Sequence, residues 1–397
     1  MARAKEAGAG YTLDKVSFGG PLLSHVRVLV ICMFDSTHTA RWLTQFEDQS
    51  IDCLLFPSSP HRRVRPELER LLSSSGSASF RLVPLARYFA LPFWALDKFA
   101  NNFFRGSLLR AAIRNFQPSI VHALELQNAG YVCLRALSNQ KPKGLKFMVT
   151  NWGSDIFWFQ RFPKHKTKLQ KLMRLADVYS AECERDVVLA RNLGFTGQAM
   201  PVIPNAGGFS EADFEIPRLS PSERRTIALK GYHGWVGRAK VSLEAVREMS
   251  EELRGYKIIV YSANKSVLKL AKQVSKQTGL EIKAFGKGAM SHKQVLEMFA
   301  KSKIYVGLSE SDGISTSMLE AMAMGAIPVQ TSTACCDEWF GDSGVAVHQI
   351  TVPAVKDAIR EGLKLAEDHA NAEKNLKTIK KKASFETVKK LALNFYD

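Results

Sequence analysis

Cysteine is scarce and scattered. Cys32, Cys53, Cys133, Cys183, Cys335 and Cys336 show no C-x2-C spacing. The sequence therefore indicates neither a zinc site nor a disulfide scaffold, and reduced thiols of a cytosolic protein are the expectation. No run approaches the ~18 consecutive apolar residues that mark a membrane-spanning helix. Residues 1–24 are rich in Gly and Ala, hold no apolar core of signal-peptide length, and read as a flexible leader. There is no G-x-G-x-x-G fingerprint and no P-loop. No D-x-D metal motif closes a strand, although Glu310 and Asp312 imitate one. Acids are in deficit, 38 against 55 Lys and Arg, so the net charge is +17. That excess favours an anionic partner: nucleic acid, a phosphorylated substrate or an acidic membrane surface. No nucleic-acid module is visible, which ranks nucleic acid last.

A chain of 397 residues is long enough for two cores. Val26–Phe34 is a near-continuous apolar, β-branched run, the mark of a central strand in a parallel sheet. Further strand signals fall at 51–56, 80–85, 119–126, 145–152, 177–181 and 198–205. After a Gly- and Pro-containing break they resume at 226–230, 257–262, 280–286, 304–308, 327–330 and 345–350. Helical patterns separate most of them, which predicts α/β architecture with doubly wound parallel sheets. The divisions are a leader (1–24), an N-terminal domain (25–205), a linker (206–223), a C-terminal domain (224–375) and a Lys-rich terminal helix (376–397).

The densest polar pattern is Ser309–Thr331, SESDGISTSMLEAMAMGAIPVQT. It reads as strand, turn, helix, strand. Ser315, Thr316 and Ser317 stand where a helix is capped, and Gly325 and Pro328 stop it. Ser317 and Glu320 also fit a capping box, so Glu320 reads equally as a cap of its own helix. Asp312 and Glu320 stand eight positions apart. DGISTSMLEAMAMGAIPV resembles the acid-x7-acid motif of retaining glycosyltransferases of the GT-B fold, the family 4-like, group 1 type that includes bacterial polysaccharide and lipopolysaccharide transferases. Asp312 replaces the usual Glu.

The resemblance implies two Rossmann-like domains facing a cleft. It implies that Glu320 holds the ribose hydroxyls, that Asp312 lies near the donor sugar, and that the helix start at Ser315, Thr316 and Ser317 faces the diphosphate. LKGYHGWVGRAK, Leu229–Lys240, is similar to the family's basic diphosphate-binding stretch, giving Lys230 and Arg238 as stabilisers of the leaving group and Gly231 as a point of close approach. Gly286 falls in the loop that meets the base. NWGSDI resembles a cleft-facing signature, with Trp152 where many relatives carry His. Asp155 there is a site candidate, and equally an N-cap for a helix starting at Ile156. STHTARW resembles the acceptor loop and offers His38 and Arg41; His38 alone reads as well as a surface residue.

Phe89–Phe116 interleaves aromatics with Lys98, Arg105, Arg110 and Arg114. It reads either as an amphipathic helix pair packed on the sheet or as a peripheral contact with anionic membrane. The expectation is a metal-independent hexosyltransferase of class EC 2.4 without cofactor. It would move a sugar, with retention, from a nucleotide-sugar donor to a lipid-linked or glycan acceptor in surface polysaccharide or glycolipid assembly, in the cytoplasm at the inner membrane face. A nucleotide-sugar epimerase of the same fold and a noncatalytic nucleotide-sugar binding protein are the alternatives.

Overall fold

The computed structural model describes residues 25–396 apart from Arg62 and Ala206; the leader lies outside the described residues. Two parallel sheets organise the chain. The first contains β1 (Val26–Cys32), β2 (Ile51–Pro57), β3 (Ser79–Leu82), β4 (Ile120–Leu124), β5 (Lys146–Thr150), β6 (Val178–Ser180) and β7 (Gln198–Ala199), in the order β3-β2-β1-β4-β5-β6-β7. The second contains β8 (Thr226–Lys230), β9 (Lys257–Ala263), β10 (Glu281–Gly286), β11 (Ser302–Gly307), β12 (Ile327–Thr331) and β13 (Val345–Val347), in the order β10-β9-β8-β11-β12-β13. Every pairing is parallel. The apolar runs are continuous because helices cover both faces: Val28–Cys32 and Ile304–Val306 are fully buried.

Each sheet reverses its direction of growth once, between β1 and β4 and between β8 and β11. A crevice opens there beyond the carboxyl ends of the strands. The two crevices face each other, and this fixes where polar groups gather.

The crossings between domains differ from the sequence reading. Outward, the chain crosses at 205–209, and the helix Glu211–Phe214 already belongs to the C-terminal domain, with Phe209 and Phe214 in its core. The return falls at Ser384 rather than at 376. The helix His369–Ala383 packs Ile379 and Ala383 into the C-terminal core, and only the helix Phe385–Leu393 lies on the N-terminal domain. The two crossings are stitched together: Phe209 N donates to Ala383 O (2.8 Å), and Phe385 N donates to Phe209 O (2.7 Å). Gly208 (φ 76°) makes this approach possible, since a Cβ there would sit 2.9 Å from Phe385 Cα. Past the return, Phe395 and Tyr396 are 1% exposed in the N-terminal core. The Tyr396 hydroxyl accepts from Trp42 Nε1 (3.1 Å) and bonds His122 Nδ1 (2.9 Å).

Candidate active site

Two adjoining cavities, of about 190 and 390 Å³, occupy the cleft, and Lys230 and Asp312 line both. Lys230 is the last residue of β8, and Asp312 follows β11, so the two strands at the reversal point deliver them. Lys230 Nζ stands 3.4 Å from Ser315 Oγ. Burial acts to lower its pKa, but Tyr305 and the carboxylates of Asp312 and Glu320 outweigh it and hold the ammonium above its ordinary range. Asp312 is raised by burial against the opposing pull of Lys230. Its backbone carbonyl accepts from Arg185 (2.7 Å), across the domain boundary.

Ser315, not Ser317, caps the helix Thr316–Ala323, accepting from Met318 N. The Ser317–Glu320 capping box does not form. The Glu320 carboxylate turns instead to His292 Nε2 (2.9 Å), at the start of the helix His292–Ala300. The capping reading of Glu320 is thereby replaced by a side-chain hydrogen bond that borders a small cavity shared with Arg41 and Thr316.

Trp152, His38 and Thr316 line the larger cavity. The rings of His38 and Trp152 lie 5.6 Å apart. His38 is solvent-exposed at the cavity rim, where crowding by its neighbours and the charge of Arg41 lower its pKa.

Other candidates fall elsewhere. Asp155 caps no helix at Ile156, since the next α-helix begins at Pro163. Its half-buried carboxylate accepts from Leu126 N (2.9 Å) and Trp152 N (3.1 Å), tying the ends of β4 and β5 together. It positions Trp152 rather than facing the cavities. Arg238 is committed to Glu310 (3.0 Å) and to the carbonyls of Gly234 and Gly237, and lines neither cavity. It closes the Gly-rich loop whose Trp235 leans on Trp158 across the cleft (5.7 Å). Gly231 is explained by packing: a Cβ would meet Tyr261 O at 2.7 Å. Gly286 ends β10 and lines neither cavity.

Sequence reasoning missed Glu182. It follows β6, is 7% exposed, and lines the larger cavity. Its two oxygens accept from Gly153 N (3.3 Å) and Asn205 N (3.1 Å). Burial and the facing Asp312 push its pKa up to about 8, so it is mostly protonated at neutral pH and able to donate a hydrogen bond. The sequence signal was an acid at the carboxyl end of a β-run, in a segment with no other motif.

Several cavity-lining groups lack partners. Ser309 Oγ, Ser311 Oγ and Trp152 Nε1 are buried without a hydrogen bond. Each such group costs about 1–3 kcal/mol unless something completes it, and a polar ligand in the cleft would. The arrangement therefore offers one ammonium, a helix start, two carboxyl groups and several open hydroxyl and indole donors.

Two family models cover most of the chain: "Glycosyl transferase 4-like" over residues 27–183 and "Glycosyl transferases group 1" over residues 214–380. No curated protein sequence matches it. Among solved structures it is similar to a glycosyltransferase from Rickettsia africae (TM-score 0.66, 13% identity, 94% of this chain and 98% of that one). It is also similar to an α,α-trehalose 6-phosphate synthase from Burkholderia multivorans (0.67, 12%, 92% and 97%). A third likeness is to a sucrose-phosphate synthase from Thermosynechococcus elongatus (0.64, 12%, 93% and 97%). At these identities the solved structures speak to the fold. With the family models, they make this chain a two-domain glycosyltransferase of the GT-B fold, a 4-like domain followed by a group 1 domain.

Proposed function

We propose that the protein transfers a sugar from a nucleoside-diphosphate donor to a hydroxyl acceptor with retention at the anomeric carbon, in glycolipid or surface-polysaccharide assembly. The observation that carries this reading is the pair of cavities sharing Lys230 and Asp312 at the sheet's reversal point. Departure of the diphosphate is the difficult event. Lys230 and the N-terminus of the helix Thr316–Ala323 aim positive charge at it, and such preorganised charge acts most strongly in the transition state. Because a cation and a helix start already serve the phosphates, the reaction needs no Mg²⁺ or Mn²⁺. Glu320, paired with His292, suits a ribose diol, and Asp312 with protonated Glu182 suits sugar hydroxyls.

The acceptor side carries an exposed apolar stripe. Leu85, Tyr88, Leu91, Leu96, Phe99 and Phe103 project from the helix Ala86–Ala100 and its flanks, with Phe99 93% exposed. Lys98 stands on the same helix, its ammonium 4.0 Å from the centre of the Trp94 ring. Arg105 is buried in an ion pair with Asp97 (2.8 Å) and holds the helix pair to Ser58 O. The stripe suits the interface of an anionic bilayer carrying a lipid-linked acceptor. Among the described residues no helix is long and apolar enough to cross a membrane.

The test is a thermal-shift series over nucleoside diphosphates and their sugars, followed by product anomer assignment. A ligand at a hundredfold excess over Kd stabilises by about 2.7 kcal/mol. If no nucleotide stabilises the protein, the donor reading fails. If a nucleotide sugar is interconverted without acceptor, the epimerase reading takes its place.

A further inference from the structure

One side-chain cluster straddles the domain boundary and has no part in the chemistry above. Cys183 follows β6 in the N-terminal domain; Cys335 and Glu338 follow β12 in the C-terminal domain. The two sulfurs and a Glu338 carboxylate oxygen all lie within 4.8 Å of one another. Both thiols are buried, while Glu338 is half-buried and opens the cluster to solvent.

The surroundings are built to hold these groups. Cys335 has a left-handed backbone (φ 48°), which side chains disfavour. The Glu338 oxygens accept from Glu184 N (3.1 and 3.2 Å), which fixes the carboxylate across the boundary. Each oxygen keeps a second lone pair for a cation, and ligating carboxylates are commonly anchored in this way. Asp186 is held by Arg185 and Asn151 and also accepts from the Cys183 thiol.

We propose that Cys183, Cys335 and Glu338 form a cation site of the zinc class that bridges the two domains. Two sulfurs and one oxygen make a soft set, which selects Zn²⁺ over Mg²⁺ or Ca²⁺. Tetrahedral Zn–S bonds of about 2.3 Å bring sulfurs about 3.8 Å apart, so the ligands close by no more than about 1 Å. Water takes the fourth position. Two thiolates and a carboxylate around a divalent ion leave one negative charge, beside the Arg185 guanidinium, which feels both sulfurs. A disulfide is the weaker use of the pair. It would leave the Glu338 carboxylate, fixed across the boundary within reach of both sulfurs, without a role. A metal deprotonates coordinating thiols outright. The site shows no C-x2-C spacing because its ligands come from two domains.

The test uses the reduced full-length protein. Co²⁺ should bind one equivalent per chain with thiolate charge-transfer absorption, and Zn²⁺ should displace it. Cys183→Ser and Cys335→Ser should each abolish that absorption and weaken Zn²⁺ binding, measured against a chromophoric chelator, by at least about a hundredfold. Glu338→Gln should retain the absorption and bind about tenfold more weakly. Without any variant, Zn²⁺ should raise the melting temperature of the reduced protein, because it binds the folded chain and joins the two domains. Absence of the charge-transfer band, its persistence in the Cys183→Ser/Cys335→Ser double variant, a melting temperature unaffected by Zn²⁺, or isolation of the two thiols as a disulfide would each overturn the proposal. None of these readouts depends on transferase activity.

Discussion

Glu182 links the chemistry of the cleft to the stability of the fold. Its carboxyl ionises near 4.5 in an ordinary setting and near 8 in the folded protein, through burial and the facing Asp312. Between those values the folded chain holds a proton that the unfolded chain has released. The free energy of unfolding therefore falls as pH rises, by about 1.4 kcal/mol per pH unit. Integrated from about pH 4.5 to 8, the loss approaches about 5 kcal/mol for an isolated group. Glu182→Gln removes the titration. The amide keeps only one acceptor for the two backbone donors at Gly153 and Asn205, so the variant carries a constant penalty of about 1 kcal/mol. Melting temperatures of wild type and variant are measured in parallel from about pH 5 to 8.5. The difference between them, free of other titrations that both share, should favour wild type at the acid end and the variant at the alkaline end. A difference that stays constant over that range would show that Glu182 is ionised at neutral pH, and the hydrogen-bond donor assigned to the cavity would be lost.

Three further outcomes follow from the same geometry. Lys230→Ala should lower kcat by about 10²–10³, while KM changes less, because the ammonium meets charge that accumulates as the sugar–phosphate bond breaks; a variant with wild-type kcat removes Lys230 from the leaving-group site. Glu320→Ala should weaken nucleoside-diphosphate binding without the loss expected of a broken cap, since Ser315 holds that position; unchanged affinity in isothermal titration sinks the ribose assignment. Phe99→Asp with Leu96→Asp should release the protein from anionic vesicles in co-sedimentation while the melting temperature stays within about 1–2 °C, as expected for exposed positions; undiminished binding would place membrane contact elsewhere.

The architecture was legible because the central strands, among them β1, β4, β8, β11 and β12, are buried and largely apolar runs, as a doubly wound sheet needs, whereas the edge strands β3, β7 and β10 carry exposed polar residues. β8 falls where the sequence put it, at Thr226–Lys230. The cleft itself was half legible. Lys230, Asp312, Trp152 and His38 sit at strand ends or first turns, where local pattern and position coincide. Asp155 and Arg238 sit at equally suggestive places, yet their side chains turn to backbone groups and to Glu310. Only three-dimensional competition for partners decides that. The same holds for Ser317 and Glu320, where a capping-box spacing lost to Ser315 and to a histidine from the neighbouring helix. Glu182 and the crossing at Ser384 depend on contacts between segments far apart in the chain, which no local spacing records.

The seating of Phe395 and Tyr396 in the N-terminal core has a consequence for how the protein is made. Synthesis delivers the first domain early, but its core stays open beside Trp42 and His122 until Phe395 and Tyr396 have left the ribosome. The earlier half must wait for the segment after Ser384, exposing apolar surface throughout synthesis of the second domain, an interval in which aggregation or chaperone capture competes with folding. The second domain, whose own core closes at Ala383, completes first. Order of folding is thus the reverse of order of synthesis, and a chain cut before Phe385 would leave a finished second domain attached to an unfinished first.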